Sequence, residues 1–150
     1  MKDDVFPAQV KYSLPMKYLS YKEYFDGKCF DEDGKRKRQI LAEGTYKGYQ
    51  WLIVSYYTHP CAYIITKMND GYYKQQYWTL NLDVHGGLTY SDYGLHTIVE
   101  KDKWVIGWDY GHYGDYKPYN ETGKKWTTIE ISFDIIRAID IMTEEQEWGE

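Results

Sequence analysis

Gln50 to Thr58 reads QWLIVSYYT and Cys61 to Met68 reads CAYIITKM, two short runs of β-branched and aromatic residues broken only by His59 and Pro60. Side chains of this kind are stiff at χ1 and pack best on a pleated surface, so the runs predict two neighbouring strands. Lys103 to Trp108 predicts another strand of the same character. Asn69, Asp70 and Gly71 read as a turn into Tyr72 to Val84. There Trp78, Leu80, Leu82 and Val84 alternate with Thr79, Asn81 and Asp83, the period-two pattern of a strand with one dry and one wet face.

The flanking sequence is weaker in pattern. Residues 1–17, with Pro7 and Pro15, read as an extended arm or edge strand, and a short helix is predicted through Tyr18, Tyr21 and Phe25. Asp26 to Gly34 reads as a turn, Arg38 to Glu43 as a short strand ending at a Gly44 turn, and Ser91 to Gly94 as a polar loop after a short Leu88 to Tyr90 segment. The period changes near the end: Ile129, Phe133, Ile136 and Ile139 or Asp140 fall at helical spacing, and Thr127 with Glu130 matches a capping box. The last residues, Glu144 to Glu150, are expected to fray. These elements define an α+β chain, a mostly antiparallel sheet with a C-terminal helix packed on it and a short N-terminal helix. A length of 150 residues suits one domain, with 1–44 as an N-terminal region and 45–143 as the motif-bearing core.

A formal net charge of -5 argues against broad binding to duplex nucleic acid, whose affinity rests on many Lys and Arg contacts to phosphate. The basic run Lys35 to Arg38 adjoins Asp31, Glu32, Asp33 and Gly34, which reads as a solvated, charge-compensated turn. No stretch reaches the roughly eighteen apolar residues needed to cross a bilayer, and Met1 to Asp4 open without a signal-peptide apolar region. A cytosolic protein without membrane contact is therefore expected. In a reducing compartment Cys29 and Cys61 are expected to be buried thiols. The 18 Tyr and 6 Trp against 4 Phe supply rings with polar tips, suited to core, interface or base stacking.

Chemistry concentrates in two glycine-broken stretches. WVIGWDYGHYGD, from Trp104 to Asp115, spaces Asp109, His112 and Asp115 three residues apart, and LDVHGGLTY places His85 before Gly86 and Gly87. Imidazole titrates near neutrality, so His85 and His112 can divide proton acceptance and donation in phosphoryl or acyl transfer, with Asp83, Asp109 or Asp115 fixing a ring's tautomer. His85, His112, Asp109 and Asp115 are the catalytic candidates. The same four residues are the alternative ligand set for a divalent zinc or manganese ion, although Gly107, Gly111 and Gly114 oppose the helix that would put the second stretch on one face. No other cofactor is implied.

Gly86 and Gly87, and again Gly111 and Gly114, allow a backbone nest for phosphate. Thr89, Tyr90, Tyr63, Tyr110 and Tyr113 are the further ligand-binding candidates; a tyrosine ring stacked on a base contributes roughly 1 to 3 kcal/mol. Tyr116 belongs to the same group, and Lys117, Lys124 and Lys125 offset phosphate charge. For each of these residues the competing reading is structural, a turn-capping histidine, a turn glycine, a packed ring or a solvated lysine. His96 has no partner legible in the sequence.

THPCAYI (Thr58 to Ile64), DVHGGLTYS (Asp83 to Ser91) and WVIGWDYGHYGD resemble blocks that mark a widespread group of small phage proteins. The likeness spans roughly Tyr46 to Met142 and falls on His85 to Tyr90, Gly107, Asp109, His112, Gly114 and Asp115. Trp108 stands where the group usually has Phe, and Tyr110 and Gly111 where it often has Cys and Ala. The resemblance implies a phage anti-defence protein acting on a nucleotide second messenger. Three readings remain open: a phosphodiesterase cleaving a cyclic nucleotide immune signal with a His pair, a non-catalytic sponge for that ligand, and a protein inhibitor of a host defence enzyme. A homodimer suits the Tyr and Trp content.

Overall fold

A computed structural model describes residues 8–148, with the backbone alone described for 8 and 146–148. Six strands form one antiparallel sheet: β1 (Ala8–Tyr12), β2 (Gln39–Tyr46), β3 (Tyr49–Ser55), β4 (Pro60–Ile65), β5 (Tyr90–Leu95) and β6 (Val99–Asp109), in the order β1-β2-β3-β4-β6-β5. A short helix α1 (Tyr21–Phe25) follows β1, and the long helix α2 (Thr128–Trp148) closes the chain. This is the α+β arrangement expected from the sequence. The first seven residues of the predicted arm, and the last two of the predicted frayed end, lie outside the described residues.

The sheet sits between two cores because its central strands alternate. Trp51 and Ile53 of β3 face α2 together with Ala62, Ile64, Ile106 and Trp108. Leu52 and Val54 point the other way, onto Cys61, Tyr63 and Val105, with Leu95 and Val99 closing that side. Burial of both faces is why β3 and β4 read as continuous apolar runs. Cys29 and Cys61 are buried free thiols, and burial pushes the Cys61 thiol well above its usual value. The Thr127 hydroxyl accepts from the Glu130 amide, and the Glu130 carboxylate accepts from the Thr127 amide, so the capping box forms as expected.

Four expectations are corrected. The helix stripe that packs is Ile131, Ile135, Ala138, Ile139 and Met142; Ile129 and Phe133 are exposed and Ile136 only partly buried. The two stripes share one period and lie two residues, about 200°, out of phase, so periodicity alone cannot choose between them. β2 does not stop at Gly44. A Cβ there would stand 2.3 Å from the Gln9 carbonyl oxygen and 2.6 Å from the Trp51 ring, so the glycine lets β1 and the indole close onto the strand. The reversal comes at Lys47-Gly48, both at positive φ, the geometry of a two-residue hairpin.

Tyr72 to Val84 is not a strand. The Asp70 carboxylate accepts from the amides of Lys67, Tyr72 and Tyr73 and from the Tyr49 hydroxyl, which coils the chain, and a 3-10 turn follows at Tyr77–Thr79. Leu82 and Val84 keep the alternation and are buried, while Trp78 is exposed. Conversely, the polar Ser91 to Gly94 stretch belongs to β5, an edge strand whose polar positions meet solvent, with its irregularity between Tyr93 and Leu95. Among the described residues no helix is long and apolar enough to cross a membrane.

Candidate functional site

The detour between β4 and β5 brings His85, in a turn closed by the Gly87 amide on the Val84 carbonyl, over the end of β6. Asp109 is the last residue of β6 and pairs with Cys61 of β4. Beyond it the chain turns through His112 and Asp115, with the Asp115 amide donating to the His112 carbonyl at 2.9 Å. The four catalytic candidates thus meet at one place. The imidazole centroids of His85 and His112 are 5.8 Å apart, at 64°.

Asp115 is the anchor, 4 % exposed. Its Oδ2 accepts from His85 Nε2 at 2.8 Å and from the His112 amide at 2.9 Å, and its Oδ1 accepts from Trp126 Nε1 at 2.8 Å. Burial alone pushes this carboxyl up, but the hydrogen bonds from His85, the His112 amide and Trp126 outweigh burial and hold it below its usual value. An ionised carboxylate only accepts, so His85 Nε2 carries the proton and Nδ1 carries the lone pair in the neutral ring. That ring lies flat on Tyr110, with centroids 4.7 Å apart and planes at 7°, and meets Trp126 edge-on at 4.9 Å. The Tyr110 hydroxyl accepts from Trp108 Nε1 and donates to Asp134, so the stack is held from behind.

The second pair is built differently. His112 Nε2 lies 3.3 Å from Asp109 Oδ1 but is not aligned for a hydrogen bond, and the atom is enclosed. Gly86 covers it: at φ +69 its added Cβ would fall 2.2 Å from His112 Cδ2 and 2.3 Å from Nε2. Only a residue without a side chain lets the 84–87 turn close over the ring. Asp109 in turn accepts from the Gly111 amide at 2.9 Å and from Thr89 Oγ1 at 3.2 Å. Lys117 Nζ donates to the carbonyls of His112 and Asp115, bracing the turn.

Of the tyrosines read as ligand-binding, Tyr113 alone presents a fully exposed ring. Tyr110 is buried behind His85. Tyr63 is buried on the other face of the sheet, hydrogen-bonded to Tyr56 and packed edge-on against Tyr90, whose hydroxyl donates to the Gly94 carbonyl. Tyr116 is likewise buried and donates to the Leu19 carbonyl. For Tyr63, Tyr110 and Tyr116 packing therefore replaces stacking. Gly87 keeps a positive φ with open space around it, and Asp83 lies 3.9 Å from Arg137, away from both imidazoles. Lys124 sits 3.7 Å over the Trp126 ring and Lys125 4.8 Å over Tyr116. His96, without a partner in the sequence reading, meets the Tyr56 hydroxyl at 2.9 Å.

Two contributors were not legible. Trp126 stands just before the α2 cap and has no motif around it. His59, read only as part of a proline break, packs its ring against Gly111, whose added Cβ would lie 3.2 Å away. Burial holds the His59 imidazole below its usual value, and the charges of Arg36, His112 and Lys117 act the same way against an opposing Asp109. Its only signal was the THPC block of the resemblance.

Both oxygens of Asp115 already receive N–H groups, and among the described residues no group of three or more His, Cys, Asp or Glu side chains is disposed to hold a metal ion. Comparison with protein families, curated proteins and solved structures gives no match to this chain.

Proposed function

We propose that the protein is a phosphodiesterase that cleaves a small cyclic nucleotide signal of the kind host defences use. The observation that carries this reading is the His85 ring, fixed at Nε2 by a buried carboxylate and on its face by Tyr110, with no hydrogen bond at Nδ1 among the described residues. In this reading Nδ1 takes the proton of an attacking water as its oxygen bonds to phosphorus. The P–O ester bond breaks, and the leaving oxygen takes a proton from His112. The product is a linear phosphate monoester, and His85 and His112 exchange protons with water to restart. Gly87 uses its amide on Val84, which leaves the Gly86 amide for a phosphate oxygen. Lys117 and Lys124 border the pair in a chain of net charge -5. The likeness of both loops to the phage blocks supports a signalling nucleotide as the substrate class.

A second reading, capture without cleavage, is favoured by the enclosure of His112 Nε2. A ring locked beneath Gly86 has less freedom to relay a proton. The test is incubation with a panel of cyclic dinucleotides and cyclic ADP-ribose isomers, with and without chelator, followed by chromatography. Cleavage is expected for the native chain, with a loss of roughly 100-fold or more in His85→Ala and in His112→Ala at unchanged folding. Equal cleavage in both variants overturns the roles. Ligand recovered intact after denaturation establishes capture instead.

A further inference from the structure

A cavity of about 520 Å³ opens between α1 and the β3–β4 turn, with Gly111 in its wall and none of His85, Asp109, His112 or Asp115 among its lining residues. Its size is that of a small-ligand site. Arg36, His59 and Lys117 line it, and no Asp or Glu does, in a chain whose acids outnumber its bases by five. Phe25, Phe30 and Tyr119, between 47 % and 61 % exposed, form an aromatic rim around the two cations Arg36 and Lys117 and the imidazole. Exposed rings gathered at the mouth of a positively charged hollow are the two halves of a base-and-phosphate recognition surface.

The polar groups are held in position with donors to spare. Arg36 Nε donates to the Tyr56 carbonyl at 3.1 Å and its Nη2 to Thr58 Oγ1, and Nη1 has no acceptor among the described residues. Thr58 Oγ1 stands 2.9 Å from His59 Nδ1 and has its own proton to give there, so the Nε2 edge of His59 carries the remaining hydrogen. Lys117 spends two N–H groups on the carbonyls of His112 and Asp115 and keeps a third. The α1 capping box, Ser20 with Glu23, fixes the segment that supplies Phe25.

We infer that this cavity is a separate binding site for a nucleoside monophosphate, with Arg36, His59 and Lys117 receiving the phosphate and Phe25, Phe30 and Tyr119 the base. It stands whether or not His85 turns a substrate over. Two charge-assisted contacts and one stacked ring are sufficient for measurable affinity in the absence of any metal.

Calorimetric titration of the full chain with AMP, GMP, CMP and UMP, and separately with adenosine and inorganic phosphate, tests it. At least one monophosphate is expected to bind, and the nucleoside and phosphate alone at least about tenfold more weakly. Arg36→Gln and Phe25→Ala are each expected to weaken binding roughly tenfold. Phe25 is 61 % exposed, so its removal leaves the core intact and carries the test if Arg36→Gln lowers folding. His85→Ala is expected to leave the affinity unchanged. The proposal is overturned if none of the four monophosphates binds at millimolar concentration. It also fails if the Arg36→Gln/Phe25→Ala double variant binds as the native chain does, or if His85→Ala alone abolishes binding.

Discussion

The two histidine–carboxylate pairs sit within one ring's width of each other and are built to opposite designs. Asp115 is buried and takes three N–H donors, so His85 has one orientation and one tautomer. Asp109 is partly exposed, shares itself between the Gly111 amide and Thr89, and only faces His112. His112 is placed from above, by the packing of Gly86, and by its own backbone. The contrast teaches that a carboxylate beside an imidazole is not one device: satisfied and dry it sets the proton, half-wet it sets only local charge.

Removing the anchor gives the largest effect. Asp115→Ala leaves three half-buried N–H groups without their acceptor and is expected to cost about 3 kcal/mol, read by chemical denaturation. A loss below about 1 kcal/mol would erase the distinction between the pairs. The same carboxyl predicts an acid response. Its folded value lies below the ordinary 3.8, so its contribution is present above that value and disappears as pH falls through the lower, folded one. Asp115→Asn should flatten that part of the stability profile, and an unchanged acid limb would show that other carboxylates govern it.

Gly86→Ala is next. A methyl group there overlaps the His112 ring and sits at a φ of +69, so a loss of about 2 kcal/mol and a displaced His112 resonance are expected. A native-like His112 spectrum would mean that the turn yields easily. Asp109→Asn is expected to change stability by less than about 1 kcal/mol, since its partners are neutral donors and a misaligned ring. A cost equal to that of Asp115→Ala would make the two pairs alike.

Much of the sheet was readable because β3, β4 and the second half of β6 carry β-branched runs, and the α2 start because Thr127 and Glu130 form a local motif. The face of α2 was not, since Ile129 with Phe133 and Ile131 with Ile135 are equally apolar and only the sheet decides between them. Tyr72 to Val84 failed for a related reason: period-two alternation says nothing of the Asp70 side chain that takes the amides there. The site itself was visible as ionisable groups beside glycines. His59 was hidden because its contact to Gly111 joins segments far apart in the chain, and Trp126 because no local motif ties its indole to Asp115, eleven residues before it.

β6 lies beside β4, and everything from Thr66 to Thr89 is spent travelling between that hairpin-less neighbour and its own edge partner. His85 therefore rides on the excursion, while its acceptor is tethered to the sheet. Partial opening of that excursion would unplug the imidazole from the carboxylate while the ladder stayed zipped, making the junction a reporter of sub-global unfolding. Amide exchange at Gly87, whose bond to Val84 belongs to the excursion, should then run ahead of exchange at Ile106 in the ladder.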